Sequence, residues 1–213
     1  MAVDDGEFLR TDRRAPIAAV AVVLPDRVEA VAIGSVTVDG EDATERLIAL
    51  VRAVGPLDGV RAILLDGCVL GGFNVVDLVR LGRELGLPVV AVTRRRPDFV
   101  RIRAALRKWF PDDHAARWRR LRQRPLFAVP TAGPSIYACV TGCRRADAIA
   151  LVHRAATRGF WPEPLRLAHL IASASTRARA GGAAGARGPR PTPTPNEPRI
   201  KGPRRRVGAG PVA

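Results

Sequence analysis

Four acidic positions in this 213-residue chain carry the first hint of chemistry. Asp4 and Asp5 follow a short apolar start, Asp39 follows an apolar run ending at Val38, and Asp66 follows another ending at Leu65. A carboxylate just past the end of a parallel strand faces the crevice where open α/β sheets bind ligands. Carboxylates converging there repel one another unless a cation joins them, and hard oxygen donors select Mg²⁺ or, alternatively, Mn²⁺. Such an ion lowers the pKa of water and neutralises charge on a phosphodiester. The plainer reading stands beside this one: Asp39-Gly40 and Asp66-Gly67 are common turn dipeptides. Next to Asp66, Gly71-Gly72-Phe73-Asn74 is a small loop whose glycines let a substrate backbone approach, ahead of a helix N-terminus that favours phosphate. It reads equally well as a strand-to-helix turn.

The elements that would position these residues follow from periodicity. Ile17 to Leu24 and Val28 to Val38 are strands joined by a turn at Pro25-Asp26-Arg27. Asp42 to Val54 is a helix whose Leu47, Ile48, Leu50, Val51 and Val54 share a face. Val60 to Leu65 is a central parallel strand, Phe73 to Leu85 a helix ended by Gly86, and Pro88 to Val92 the next strand. Helices at Asp98 to Trp109 and Ala115 to Arg122, a strand at Ile136 to Val140, and helices at Ala146 to Ala156 and Pro164 to Ala174 complete the pattern. Early strands in succession followed by alternating elements predict an α/β mixed sheet flanked by helices in one domain, residues 1–175. Residues 176–213 are rich in Gly, Pro and Arg with little to bury, which predicts a disordered basic tail.

Charge narrows the partners. The chain has 35 basic and 20 acidic residues, a net charge of +15, and only Lys108 and Lys201 are lysines. Guanidinium pairs bidentately with phosphate and stacks on bases, which suits nucleic acid, although G+C-rich coding also favours arginine over lysine. More than half of the excess sits between Arg177 and Arg206, so the domain itself is only mildly basic. Within it, Arg101, Arg103, Arg107, Lys108, Arg117, Arg119, Arg120, Arg122 and Arg124 interleave with Trp109 and Trp118, as a nucleic-acid surface or a solvated helical face would. No run approaches the ~20 apolar residues of a membrane span, and the acidic start MAVDDGEF is unlike a signal peptide. Three cysteines, Cys68, Cys139 and Cys143, make an odd set that fits a reducing cytoplasm.

Four ordered stretches add a resemblance: VTVDGEDATERLI (Val36 to Ile48), ILLDGCVLGGFNVVDL (Ile63 to Leu78), GLPVVAVTRRRPDF (Gly86 to Phe99) and RGFWPEPLRLAHLIASA (Arg158 to Ala174). Together they resemble the endonuclease dU family over residues 3–175, a mainly archaeal family similar to endonuclease V with its ribonuclease H-like fold. The resemblance implies a Mg²⁺-dependent endonuclease that incises DNA at deoxyuridine, or deoxyinosine, in a repair role, with no obligate protein partner. It makes Asp66 the central metal-binding aspartate and Asp4, with Asp5 as alternative, the aspartate of the first strand. Asp39 takes the acidic position after the third strand, and His169 lies near the metal. Arg94-Arg95-Arg96 stands where endonuclease V has a lysine, a departure, because arginine grips phosphate but does not trade protons near neutral pH. The short apolar run before Asp4 is a second departure. Gly71 and Gly72 join the arginines as expected nucleic-acid contacts. From its own pattern His169 also reads as a half-buried helix residue, and Glu163, between two prolines, as a turn acid, a backbone brace or a metal-proximal acid. A non-catalytic nucleic-acid-binding protein of the same fold is the competing reading; a phosphate-binding small-molecule enzyme lacks any P-loop or G-x-G-x-x-G support.

Overall fold

The computed structural model describes residues 1–9, 11–157 and 159–181. Its strands are β1 (Ala2–Asp5), β2 (Arg14–Val23), β3 (Arg27–Thr37), β4 (Ile63–Asp66), β5 (Val69–Leu70), β6 (Asn74–Val75), β7 (Val89–Thr93), β8 (Phe127–Val129) and β9 (Ile136–Thr141). The helices are α1 (Ala43–Ala53), α2 (Leu78–Leu85), α3 (Phe99–Trp109), α4 (His114–Leu121), α5 (Arg145–Ala155) and α6 (Glu163–Gly181). Seven strands form one mixed sheet in the order β3-β2-β1-β4-β7-β9-β8, and β5 with β6 makes a separate small hairpin. β1, β4 and β7 run parallel, while β2 and β9 are antiparallel to their inner neighbours.

Strand alternation sorts the side chains between two cores. Val3, Ile63, Leu65, Val89 and Ala91 pack with Leu47, Leu50 and Leu81 of α1 and α2 on one face. Ala2, Leu64, Val90 and Val92 pack with Val152, Ala155, Leu165 and Ala168 of α5 and α6 on the other. Near-continuous apolar strands are what a sheet covered on both faces requires.

The mixed sheet flanked by helices is the architecture expected, with three local differences. Phe73 to Val76 is not helical. Asn74 is fully buried, and its side chain accepts from Ala43 N (2.9 Å) and donates to the Thr37 carbonyl (2.9 Å) and Asp42 Oδ1 (2.7 Å), which pins the segment as a hairpin strand. The helix then starts at Leu78, where the Asp77 carboxylate caps Arg80 N at 2.8 Å. β8, three residues long, was too short to show periodicity. Lastly, α6 continues to Gly181, past the expected domain end at residue 175; the expected disorder of residues 182–213 lies outside the described residues. No helix among the described residues is long and apolar enough to cross a membrane.

Candidate active site at the ends of β1 and β4

Alternation also decides where each acid points. In β1, Asp4 shares the face of Ala2, toward α6, and Asp5 shares the face of Val3, toward α1. The β1–β4 register pairs Ala2 with Leu64 and Val3 with Leu65, so the next step along both strands brings Asp4 beside Asp66. Asp66 in turn pairs with Val92, and two residues further on that face is Arg94. The guanidinium of Arg94 lies 4.0 Å from the Trp161 ring centroid, on the α6 side of the sheet.

α6 supplies the remaining member. His169 Nδ1 is 3.1 Å from Asp4 Oδ2 and 3.0 Å from the Asp5 carbonyl. A carbonyl only accepts, so Nδ1 carries the proton and donates. The helix can come this close because Gly6 follows β1: a Cβ there would lie 2.4 Å from the Ala172 backbone carbon. Ser173 Oγ accepts from Glu7 N (3.2 Å), and Thr176 Oγ1 donates to the Glu7 carbonyl (3.0 Å), which fastens the helix along the chain leaving β1.

The electrostatics are those of two acids confined together. Burial pushes the Asp4 carboxyl up to about 6; its hydrogen bond to His169 opposes the rise and the Asp5 charge adds to it. Asp66 rises to about 7, first through burial, then through repulsion from Asp4, with Arg94 pulling the other way. Opposed carboxylates at this level of burial are a receptive place for positive charge.

Over residues 1–176 the sequence matches the endonuclease dU family. The chain belongs to that family. A UPF0215 protein of Methanothermobacter thermautotrophicus is 42% identical over 149 residues, covering 70% of this chain and 72% of the relative. A crystal structure of a protein of unknown function from Archaeoglobus fulgidus superposes with a TM-score of 0.73 at 33% identity, covering 82% of this chain and 95% of that one. Ciona intestinalis endonuclease V, solved with a 24mer DNA containing an inosine followed by a ribo-adenosine, is similar in fold at a TM-score of 0.57 and 14% identity, covering 84% and 85%. Membership of this family supports a nuclease acting on DNA.

In this endonuclease dU protein Asp4, Asp66, His169 and Arg94 come together, and Asp39 engages the Gly71–Phe73 turn. Asp39 has a left-handed backbone (φ 56°); its Oδ1 accepts from Phe73 N at 2.8 Å and its N–H donates to the Gly71 carbonyl at 2.8 Å. Among the described residues no group of three or more His, Cys, Asp or Glu side chains is arranged to hold a metal ion. Asp5 braces the same loop, accepting from Gly71 N at 2.8 Å. Gly71 is buried and its N–H is engaged, and a Cβ on Gly72 would lie 2.2 Å from Asp39 Oδ1. The glycines let this loop pack closely against Asp39 and β3. The Asp77 carboxylate caps the α2 N-terminus through Arg80 N.

One further residue differs from the sequence reading. Arg117 is 5% exposed, not part of a basic surface. Its Nη1 donates to the carbonyls of Gly40 (2.9 Å) and Phe73 (2.7 Å), its Nε to Asp113 (2.7 Å), and its guanidinium sits 4.2 Å from the Phe110 ring centroid. It locks α4 onto the turns after β3 and β5. Glu163 is buried at the start of α6 and accepts from Arg166 Nε at 2.8 Å, an intrahelical brace. Arg95 and Arg96 are exposed beyond β7.

Proposed function

We propose that the protein is a divalent-metal-dependent endonuclease that incises DNA at or near deaminated bases, deoxyuridine first and deoxyinosine second. The observation that carries the reading is the placement of Asp4 beside Asp66 at the ends of two parallel strands, both with raised carboxyl pKa values and both facing α6. Two carboxylates suffice for Mg²⁺, which usually keeps several waters and completes its shell with substrate phosphate oxygens. Asp4 and Asp66 are the residues that would hold it; Mn²⁺ suits the same oxygen donors. Bound there, a divalent cation supplies a more acidic water and neutralises charge on the phosphodiester.

The chain's own groups provide the rest. Hydrolysis adds a water oxygen to phosphorus and breaks the bond to one sugar oxygen, which leaves with a proton. His169, held at Nδ1 by Asp4 and the Asp5 carbonyl, has Nε2 as the ring atom that orients water or, when protonated, a phosphate oxygen. Arg94, stacked on Trp161, pairs with a phosphate of the strand, with Arg95 and Arg96 alongside. The choice of deaminated DNA is supported by the family's name and by the inosine-containing DNA of the Ciona neighbour. Free Cys68, Cys139 and Cys143 suit work in a reducing cytoplasm.

End-labelled duplexes carrying one deoxyuridine or one deoxyinosine, incubated with protein in Mg²⁺ or in EDTA, test this. Incision near the lesion, in Mg²⁺ only and lost in Asp66→Asn, is expected. Binding without incision under every condition would leave the non-catalytic nucleic-acid-binding reading in its place.

A further inference from the structure

Away from the carboxylates, α3 and α4 enclose a cleft of about 500 Å³ whose lining includes Arg103, Arg107, Arg119, Arg122, Trp118 and Gln123 and contains no acidic residue. None of those four arginines forms an ion pair among the described residues, unlike Arg117 and Arg120 of the same helix, which pair with Glu41. Arg122 lies 4.3 Å from the Phe99 ring centroid and 5.7 Å from that of Trp118, and Arg103 lies 5.6 Å from the latter. Two guanidinium groups thus sit near Trp118 in this cleft, and that of Arg122 also lies over Phe99. Gln123 has a side-chain oxygen that is buried without a hydrogen-bond partner, a cost that a bound donor would remove.

The cleft is not isolated. Arg122 also lines a second cleft, about 410 Å³, with Arg96, Phe99 and Tyr137. Arg96 is two residues from Arg94, whose charge acts on Asp66. Arg122 thus joins the two clefts, and Arg96 of the second stands two residues along the chain from the arginine that acts on Asp66.

We infer that this pair of clefts binds an unpaired nucleic-acid strand flanking the site of incision, and so deepens the nuclease reading on which it rests. Phosphate alone would be served by arginines. The Phe99, Trp118 and guanidinium planes are suited to stacking bases, which a duplex keeps covered. Gln123, in the lining of the cleft, has an amide that can turn to pair with a base N–H or amino group, which a sugar-phosphate chain lacks.

The test is binding by the full chain in EDTA, so that its outcome does not depend on incision. Fluorescein-labelled single-stranded DNA, an abasic strand of equal length and a blunt duplex are titrated by anisotropy at several salt concentrations. Arg103→Gln with Arg119→Gln should weaken single-strand binding about tenfold, make its salt slope less negative by about 1.4, or ~0.7 for each lost phosphate contact, and change duplex affinity less than twofold. Gln123→Leu should weaken an oligo-dC strand at least threefold and leave the abasic strand unchanged. Circular dichroism confirms that each variant folds. Unchanged single-strand affinity in the double variant, or an equal loss for duplex and single strand, overturns the inference. Failure of incision with these shifts intact would count against the nuclease reading alone.

Discussion

Asp4 and Asp66 lie side by side because β1 and β4 are parallel and in register, one step beyond the Val3–Leu65 pair. Neither strand needs more than four residues to achieve this. The short β1 is therefore sufficient to place an aspartate at the sheet's end, with Leu64 N taking the Met1 carbonyl at 2.8 Å to anchor it.

Removing one charge of the pair should stabilise the protein while disabling it. Asp66→Asn keeps the shape and ends the repulsion with Asp4. Its melting temperature at pH 8 without metal should rise by several degrees, about the shift that 1 kcal/mol or more gives in a domain of this size. Incision should fall by about 10²-fold or more, comparable to the loss of a major electrostatic contributor elsewhere. Calorimetry and a gel assay on one preparation check both; a fall in both quantities contradicts the electrostatic account.

The sign of the pH dependence follows from the same pair. Both carboxyls titrate higher folded than unfolded, near 6 and 7 against the ordinary 3.8, so the folded state holds more protons across that interval. Their contribution to stability is greatest below about pH 4 and declines as pH rises to about 7, by on the order of a few kcal/mol. The Met1 amine, lowered by burial to about 6, works in the opposite direction between about pH 6 and 8. Subtracting the stability curve of Asp4→Asn with Asp66→Asn isolates the pair. The difference should fall with pH in chelator and flatten in excess Mg²⁺; a difference that rises with pH would refute the assignment.

Close approach at Gly6 makes a prediction for positioning. Gly6→Ala has no room against the α6 backbone at Ala172, so α6 must shift. We expect about 1–3 kcal/mol of destabilisation in urea unfolding, together with a change in the ¹⁵N and ¹H shifts of the His169 ring. Wild-type stability with unchanged ring signals would show that the helix is not held there.

Arg117 should behave as a structural residue. Arg117→Ala strands two part-buried carbonyls and Asp113, at a cost of about 1–3 kcal/mol. Arg119→Ala, on the exposed face of the same helix, should change stability by less than about 0.5 kcal/mol. Chemical denaturation separates the two.

How far the sequence disclosed this arrangement depends on the kind of signal involved. The strands with continuous apolar runs, and Asp66 at the end of one, were legible because a sheet covered on both faces needs little else. The choice between Asp4 and Asp5 was open in the sequence and turns on which face each residue takes, once Ala2 and Val3 are assigned to opposite cores. Asp39 was legible as a third acid that follows a strand; its left-handed backbone and the contact across to Phe73 depend on a turn 34 residues away in sequence. Arg117 was hidden among neighbouring arginines of identical type. An Arg with Asp four residues before it was the one available sign, since the pair Asp113 and Arg117 lies on one helical face.

Manganese binding to the metal-free protein, followed by electron paramagnetic resonance at pH 7.5, addresses the carboxylate pair most directly. Wild-type protein should take up Mn²⁺ at a site that Mg²⁺ displaces, Asp39→Asn should retain that site, and both Asp4→Asn and Asp66→Asn should lose it. Retention of the site in Asp66→Asn, or its loss in Asp39→Asn alone, would contradict a cation held between β1 and β4.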